Sequence, residues 1–182
     1  MREIRRKEKA ITETSEMKAI LSNAKYITIA MCNNNEPYLA TLSHGYDPDS
    51  NVIYFHCANE GKKIDFMKKN NVVWGQALID KGYVPGKCDH LYATTQFRGE
   101  VSFINDFEEK RNALINMIRK LEDNPEEVIK ERITEKAVKR ICIGKIRIDY
   151  MSGKEADLTS FVFFIFIPLQ IDFLFLIDCL IE

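Results

Sequence analysis

Met17, Ile20 and Leu21 recur at helical spacing among polar neighbours, which predicts a first helix over residues 14–23 with Thr14 or Ser15 as its cap. The pattern then shortens to strands. Residues 26–32 predict one strand and 37–44 a second. Asn33-Asn34-Asn35 turns between them, because asparagine tolerates left-handed backbone, so the two make a hairpin. Asp47-Pro48-Asp49-Ser50 turns the chain into a third strand over 52–57. Val52, Tyr54, His56 and Ala58 fall on one side of it, and Ile53, Phe55 and Cys57 on the other. A short helix over 61–69 faces Ile64, Phe66 and Met67 inward. A fourth strand over 72–79, a Gly- and Pro-containing loop over 81–90 and a long fifth strand over 92–104 follow. On the fifth, Tyr92, Thr94, Gln96 and Arg98 share one face, opposite Ala93, Thr95, Phe97 and Gly99.

Two helices come next. Asp106 caps the first, whose apolar face is Phe107, Leu114, Ile118 and Leu121. The second opens on Asn124-Pro125-Glu126-Glu127, a cap followed by a first-turn proline and acidic residues. Its i,i+4 pairs Glu126/Lys130 and Glu135/Lys139 predict a solvated face. A last strand covers 141–150. Five or six strands, the first three meandering, with few helices between them, predict a mainly β fold with flanking helices, closed or nearly closed into a barrel. Residues 1–157 are expected to form this domain, and 158–182 an apolar tail.

Composition narrows the function. With 182 residues, 46% of them hydrophobic, the chain is long enough to bury a core; a net charge of -1 gives no global field to recruit nucleic acid, and none is expected as a partner. The five cysteines are odd in number, widely spaced and form no C-x-x-C pair, which favours reduced thiols in the cytoplasm. The charged opening, 1–9, has no apolar run of the secretory kind. Cys88-x-His90 has no second pair at ligand spacing, so no metal is expected.

Two stretches carry candidate chemistry. Where the third strand meets its helix, Gly61 lets a ligand approach the backbone, the helix start offers unpaired N–H groups, and Lys62 and Lys63 add positive charge; together these suit a phosphate. The same spacing also fits a plain helix start with solvated lysines. The polar face Tyr92, Thr94, Gln96 and Arg98 fits either a ligand site or the wet side of an antiparallel strand.

Residues 37–47, Pro37-Tyr38-Leu39-Ala40-Thr41-Leu42-Ser43-His44-Gly45-Tyr46-Asp47, resemble the P-Y-x-x-P-L-x-x-G-Y strand of the nitroimidazole-resistance-like group of pyridoxamine 5′-phosphate oxidase-related flavoproteins. Ile53-Tyr54-Phe55-His56-Cys57-Ala58 with Gly61-Lys62-Lys63-Ile64-Asp65 resembles that group's I-Y-F-H-x-A-x-x-G-x-K-x-D segment. Gly82-Tyr83-Val84, Cys88-Asp89 and 92–99 resemble its next two blocks, and the likeness runs from residue 1 to about Lys154. The resemblance implies an FMN-binding split β-barrel working as a homodimer, with FMN at the subunit interface. It implies that Lys63, Lys62 and the Gly61 backbone hold the phosphate within a segment that includes His56, Cys57 and Ala58. Thr94, with Gln96 on the same face, would lie near the cofactor, and Thr41, Leu42 and Ser43 would flank the flavin largely through backbone groups. His56 would be the active-site histidine.

Two departures from the group's pattern stand out. Thr41 replaces a common proline, and Phe97 replaces a small residue, which would narrow the pocket. The implied activity is an FMN-dependent oxidoreductase that reduces a small-molecule electron acceptor such as a 5-nitroimidazole, with a nicotinamide recharging the flavin. An imidazole, which titrates near neutral pH, suits His56 to donate a proton. The barrel also admits a pyridoxamine-phosphate-oxidase-like enzyme, although the R-x-x-L-L-K strand of that oxidase is absent. A deazaflavin-dependent reductase and a non-enzymatic flavin or haem binder complete the alternatives. For the tail, three readings stand. It is a membrane anchor, against which Asp172 and Asp178 count because charge is expensive in a bilayer; an apolar segment packed on the barrel or dimer seam; or the product of a shifted reading frame.

Overall fold

A computed structural model describes residues 3–157; the tail 158–182, and with it each reading of the tail, lies outside the described residues. The elements run β1 (Ala10–Ile11), α1 (Thr14–Asn23), β2 (Ile27–Asn33), β3 (Glu36–Leu42), β4 (Gly45–Asp47), β5 (Val52–Cys57), α2 (Lys62–Lys69), β6 (Val72–Val84), β7 (Asp89–Phe103), α3 (Phe107–Leu121), α4 (Pro125–Arg132), α5 (Glu135–Arg140) and β8 (Cys142–Ala156). All strand pairs are antiparallel, in the order β3-β2-β6-β7-β8-β5-β4, with β1 added to the end of β8. The two end strands, β3 and β4, are consecutive in the chain. Only Ser43 and His44 join them, and so short a link spans at most about 10 Å, so the sheet has to curl round on itself. The result is a split β-barrel.

The β2–β3 hairpin turns on Asn34 and Asn35, at φ 50° and 64°, the paired left-handed geometry that matches strand twist. Inside the barrel, Ile27, Ile29, Ile53, Phe55, Val73, Phe97 and Ile146 are fully buried. Two rings lie over glycines directly across a strand pair. Phe97 faces Gly75 and Phe55 faces Gly144, and a methyl group added at either glycine would sit 2.2 Å from the ring. α1 packs Met17, Ile20 and Leu21 on the barrel. α2 closes one end with Phe66 and Met67, the Phe66 ring lying 5.3 Å from that of Tyr38. A second cluster, Ile104, Ala113, Met117 and Ile143 with Tyr54 beside it, seats α3. Among the described residues no helix is long and apolar enough to cross a membrane.

Several expectations need correction. Glu13, not Thr14 or Ser15, occupies the cap position of α1, and it makes no side-chain capping bond. The predicted loop 81–90 is largely strand. β6 and β7 pair out to Val84 and Asp89 around a bulge at Asp80/Gly82, and the turn lies beyond them. α3 buries Ala113 and Met117, while Leu114 and Ile118 are half-buried and Leu121 is exposed, so its inner stripe is rotated from the one expected. The second predicted helix is two, because Thr134 starts α5 afresh, its Oγ1 accepting from Ala137 N at 3.2 Å. Asp106 caps α3 as expected, accepting from Glu109 N at 2.8 Å.

Candidate functional site

Register creates a polar row that no single strand contains. Thr41 stands opposite Thr28, Thr28 opposite Gln76, Gln76 opposite Gln96, and Gln96 opposite Ser152, so the row crosses β3, β2, β6, β7 and β8. These positions alternate with the core residues and therefore share the outer face of the sheet. One row along runs Leu39, Ala30, Trp74, Arg98 and Tyr150, with Trp74 and Tyr150 in edge contact at 5.8 Å. A groove of about 530 Å³ follows the polar row past Tyr26, Thr28, Thr41, Gln76 and Leu78. A second of about 290 Å³ adjoins it at Thr28 and Gln76 and takes in Leu39, Trp74 and Gln96.

Of the residues expected at a cofactor, Thr41 and Gln96 line these grooves. Thr94 is buried and its hydroxyl is already engaged. It donates to Ala77 O at 2.8 Å and accepts from Gln76 Nε2 at 3.0 Å, so its effect on the groove is to hold Gln76 in place. Leu42 points into the core. Ser43 lines a neighbouring cavity of about 410 Å³ with Lys120, reached around the segment 23–26 that both cavities share. Phe97 faces the barrel interior and does not narrow the groove, which corrects the expectation placed on it: its ring fills the space that Gly75 leaves.

The other half of the expected site lies at the corner between β5 and α2, and neither sheet groove is lined by any residue of 56–63. His56 is exposed on the outer side of β5, Cys57 is half-buried at the rim of the core, and Ala58 is exposed. Gly61 precedes α2 at φ 127°, a conformation that side chains rarely adopt, and no atom within 4 Å crowds the place where a Cβ would be. No side chain caps α2. The Gly61 carbonyl takes the N–H groups of Ile64 and Asp65, and those of Lys62 and Lys63, as at any helix start, have no partner within the helix.

The two lysines differ. The Lys62 ammonium pairs with Glu36 Oε1 at 3.1 Å and lies 4.9 Å from the centre of the Tyr38 ring. Lys63 is half-buried, and its charge bears on the Cys57 thiol, favouring the thiolate. Against that pull, burial and a hydrogen bond with the Cys142 side chain push the Cys57 thiol up to about 12.

A buried polar knot ties the β3–β4 link to the rest. His44 Nε2 lies 2.9 Å from Leu21 O and 2.6 Å from Lys120 Nζ, and that ammonium also reaches Leu21 O at 3.2 Å. Burial, reinforced by the Lys120 charge, lowers His44 to about 4, and burial lowers Lys120 to about 8. Both cap the carbonyl end of α1. His90, weighed as half of a metal pair, instead meets Asp80 Oδ1 at 2.8 Å on the β6–β7 hairpin.

Gln76, Tyr26, Thr28 and Trp74 shape the grooves, and the sequence reading passed over all four. Gln76 alone left a signal, as the one strongly polar residue in the apolar run 72–79.

The family model described as pyridoxamine 5′-phosphate oxidase matches residues 13–155. Among solved structures, the chain is similar to a candidate 5-nitroimidazole antibiotic resistance protein from Bacteroides thetaiotaomicron, with 26% identity, TM-score 0.70, and 80% of this chain and 86% of that one covered. It shares its fold with the flavocytochrome Anf3 from Azotobacter vinelandii, at 16% identity, TM-score 0.70, and 88% and 78% coverage. It also shares it with an FAD- and heme-binding protein from Mycobacterium smegmatis, at 14% identity, TM-score 0.68, and 82% and 74% coverage. No curated protein matches the sequence.

Proposed function

The chain belongs to the pyridoxamine 5′-phosphate oxidase family, and from that premise we propose that it is an FMN-dependent oxidoreductase working as a homodimer on a small electron acceptor of the 5-nitroimidazole type. One observation carries the cofactor reading. At the start of α2, open space over Gly61 and the unpaired N–H donors of a helix start stand in the same turn as Lys63, and among the described residues no carboxylate pairs with its ammonium. That set fits a phosphate dianion, which a helix start and a nearby ammonium both stabilise. Lys62, committed to Glu36, has the lesser share.

What one chain lacks supports the homodimer. The phosphate corner and the polar grooves are separate, while Leu39, Trp74 and Leu78 leave an apolar outer sheet face exposed. A second copy covering that face buries the apolar side chains and completes the pocket between subunits. In this assembly Gln76, Gln96 and the Thr41 backbone orient the ring, and Gln76 stays fixed because Thr94 holds its amide. When bound, FMN supplies the two-electron transfer, which needs a nicotinamide or similar donor to be renewed. His56, exposed on the outer side of β5, delivers a proton to the acceptor from a ring nitrogen.

The test is direct. Full-length protein, incubated with FMN and desalted, is expected to be yellow with one flavin per chain, and to oxidise a nicotinamide when a 5-nitroimidazole is added. Protein that stays colourless overturns the cofactor reading. A haem or deazaflavin spectrum replaces it, and flavin bound without any acceptor turnover reduces the proposal to a binding module.

A further inference from the structure

Cys57 and Cys142 are far apart in sequence but stand directly opposite on β5 and β8. Directly opposed residues of an antiparallel pair project to the same face. Ile148 N donates to Asn51 O at 3.1 Å, and alternate steps down that ladder, through Ile53/Ile146 and Phe55/Gly144, arrive at Cys57/Cys142. The pair therefore falls at a hydrogen-bonded position, where Cα atoms lie about 5.5 Å apart. A disulfide needs roughly 4.4–6.8 Å. Both thiols are half-buried and unbridged, and Cys57 Sγ donates to Cys142 O at 3.8 Å. Neither of the other described cysteines has such a partner. Cys32 faces Pro37 across its strand pair, and Cys88 sits in the hairpin turn.

We propose that Cys57 and Cys142 are a redox site, at which a peroxide-class oxidant joins the two sulfurs in a reversible disulfide that staples β5 to β8 beside Lys63. The Cys142 sulfur attacks a peroxide oxygen as its thiol proton leaves; the O–O bond breaks, Cys142 becomes a sulfenic acid, and the other oxygen departs with that proton, as water when the oxidant is hydrogen peroxide. The Cys57 sulfur then attacks Cys142, the S–S bond forms, the S–O bond breaks, and water leaves with the Cys57 proton. Two sulfurs lose two electrons and the peroxide gains them, becoming two waters in all when it is hydrogen peroxide. Cys57 is the second partner because its half-buried thiol donates to Cys142 O, and its proton passes to the departing hydroxyl as its sulfur attacks. The site stands whether or not the chain takes a flavin.

The experiment uses reduced full-length protein under native conditions. It is treated with a small excess of hydrogen peroxide, alkylated, digested without reduction and mapped by mass spectrometry. The expected result is a Cys57–Cys142 linked peptide from chains that run as monomers on a non-reducing denaturing gel, lost on dithiothreitol treatment. Cys142→Ser is expected to abolish that peptide and leave Cys57 fully alkylated. In Cys57→Ser, Cys142 is expected to be trapped by dimedone as a sulfenic acid. Recovery of both cysteines alkylated in peroxide-treated wild-type chain, or linkage of either one to another cysteine, overturns the proposal.

Discussion

At Lys62 the ammonium is held by Glu36 and two aromatic rings, whereas at Lys63 no carboxylate among the described residues stands in the way of a bound anion. If a phosphate binds at α2, Lys63→Ala removes a charge-assisted bond worth about 1.5–3 kcal/mol, and FMN affinity by equilibrium titration is expected to fall about 10- to 100-fold. Lys62→Ala is expected to change it by much less. The His44–Lys120 knot makes a second prediction at this scale. Both groups are bases whose folded values are depressed, from 6.5 to about 4 and from 10.5 to about 8, so the unfolded chain binds more protons between each pair of values. Stability from His44 is present above pH 6.5 and is lost as pH falls towards 4, by about 3 kcal/mol. Stability from Lys120 rises between pH 8 and 10.5. Urea midpoints across pH 4–7 are expected to fall less steeply towards acid in His44→Gln than in the parent chain.

Among the elements, β6 and β7 depend on the Gly75–Phe97 contact. A methyl at Gly75 would lie 2.2 Å from a ring with no exposed surface into which to turn. Gly75→Ala is expected to cost about 1–3 kcal/mol by overpacking. Adding Phe97→Leu makes room, so the double variant should lose less than the two single losses combined, as denaturant unfolding would measure. The elements themselves were largely readable in the chain. α1, β5 and α2 announce themselves by period and by punctuation, because each has one buried face to mark. The outer arms of β6 and β7 gave no such sign. Asp80 to Gly82 and Tyr83 bury nothing, and strands without a buried face do not alternate. The candidate site was readable in halves. Gly61 with Lys62 and Lys63 is a local motif and shows in the sequence. The row Thr41–Thr28–Gln76–Gln96 exists only through register between strands, and Cys57/Cys142 likewise, so neither is visible before the strands are paired.

For the molecule as a whole, the proposed assembly turns on the outer sheet face. Leu39 is 64% exposed and Leu78 50%, on a face whose other side is the core. If the proposed homodimer buries them, light scattering is expected to give twice the chain mass at micromolar concentration, and Leu39→Glu with Leu78→Glu to give the single-chain mass and weaker FMN binding. A wild-type monomer would sink the shared-pocket reading. The same face carries a practical consequence. The chain has a single tryptophan, and it is Trp74, partly exposed on the wall of a groove. Its ultraviolet emission therefore comes from one known place. Isoalloxazine absorbs in that emission band, so a flavin arriving in the groove should dim the signal by energy transfer, and subunits closing over it should shift the band to the blue. Occupancy and association can then be followed separately on unlabelled protein, in one cuvette.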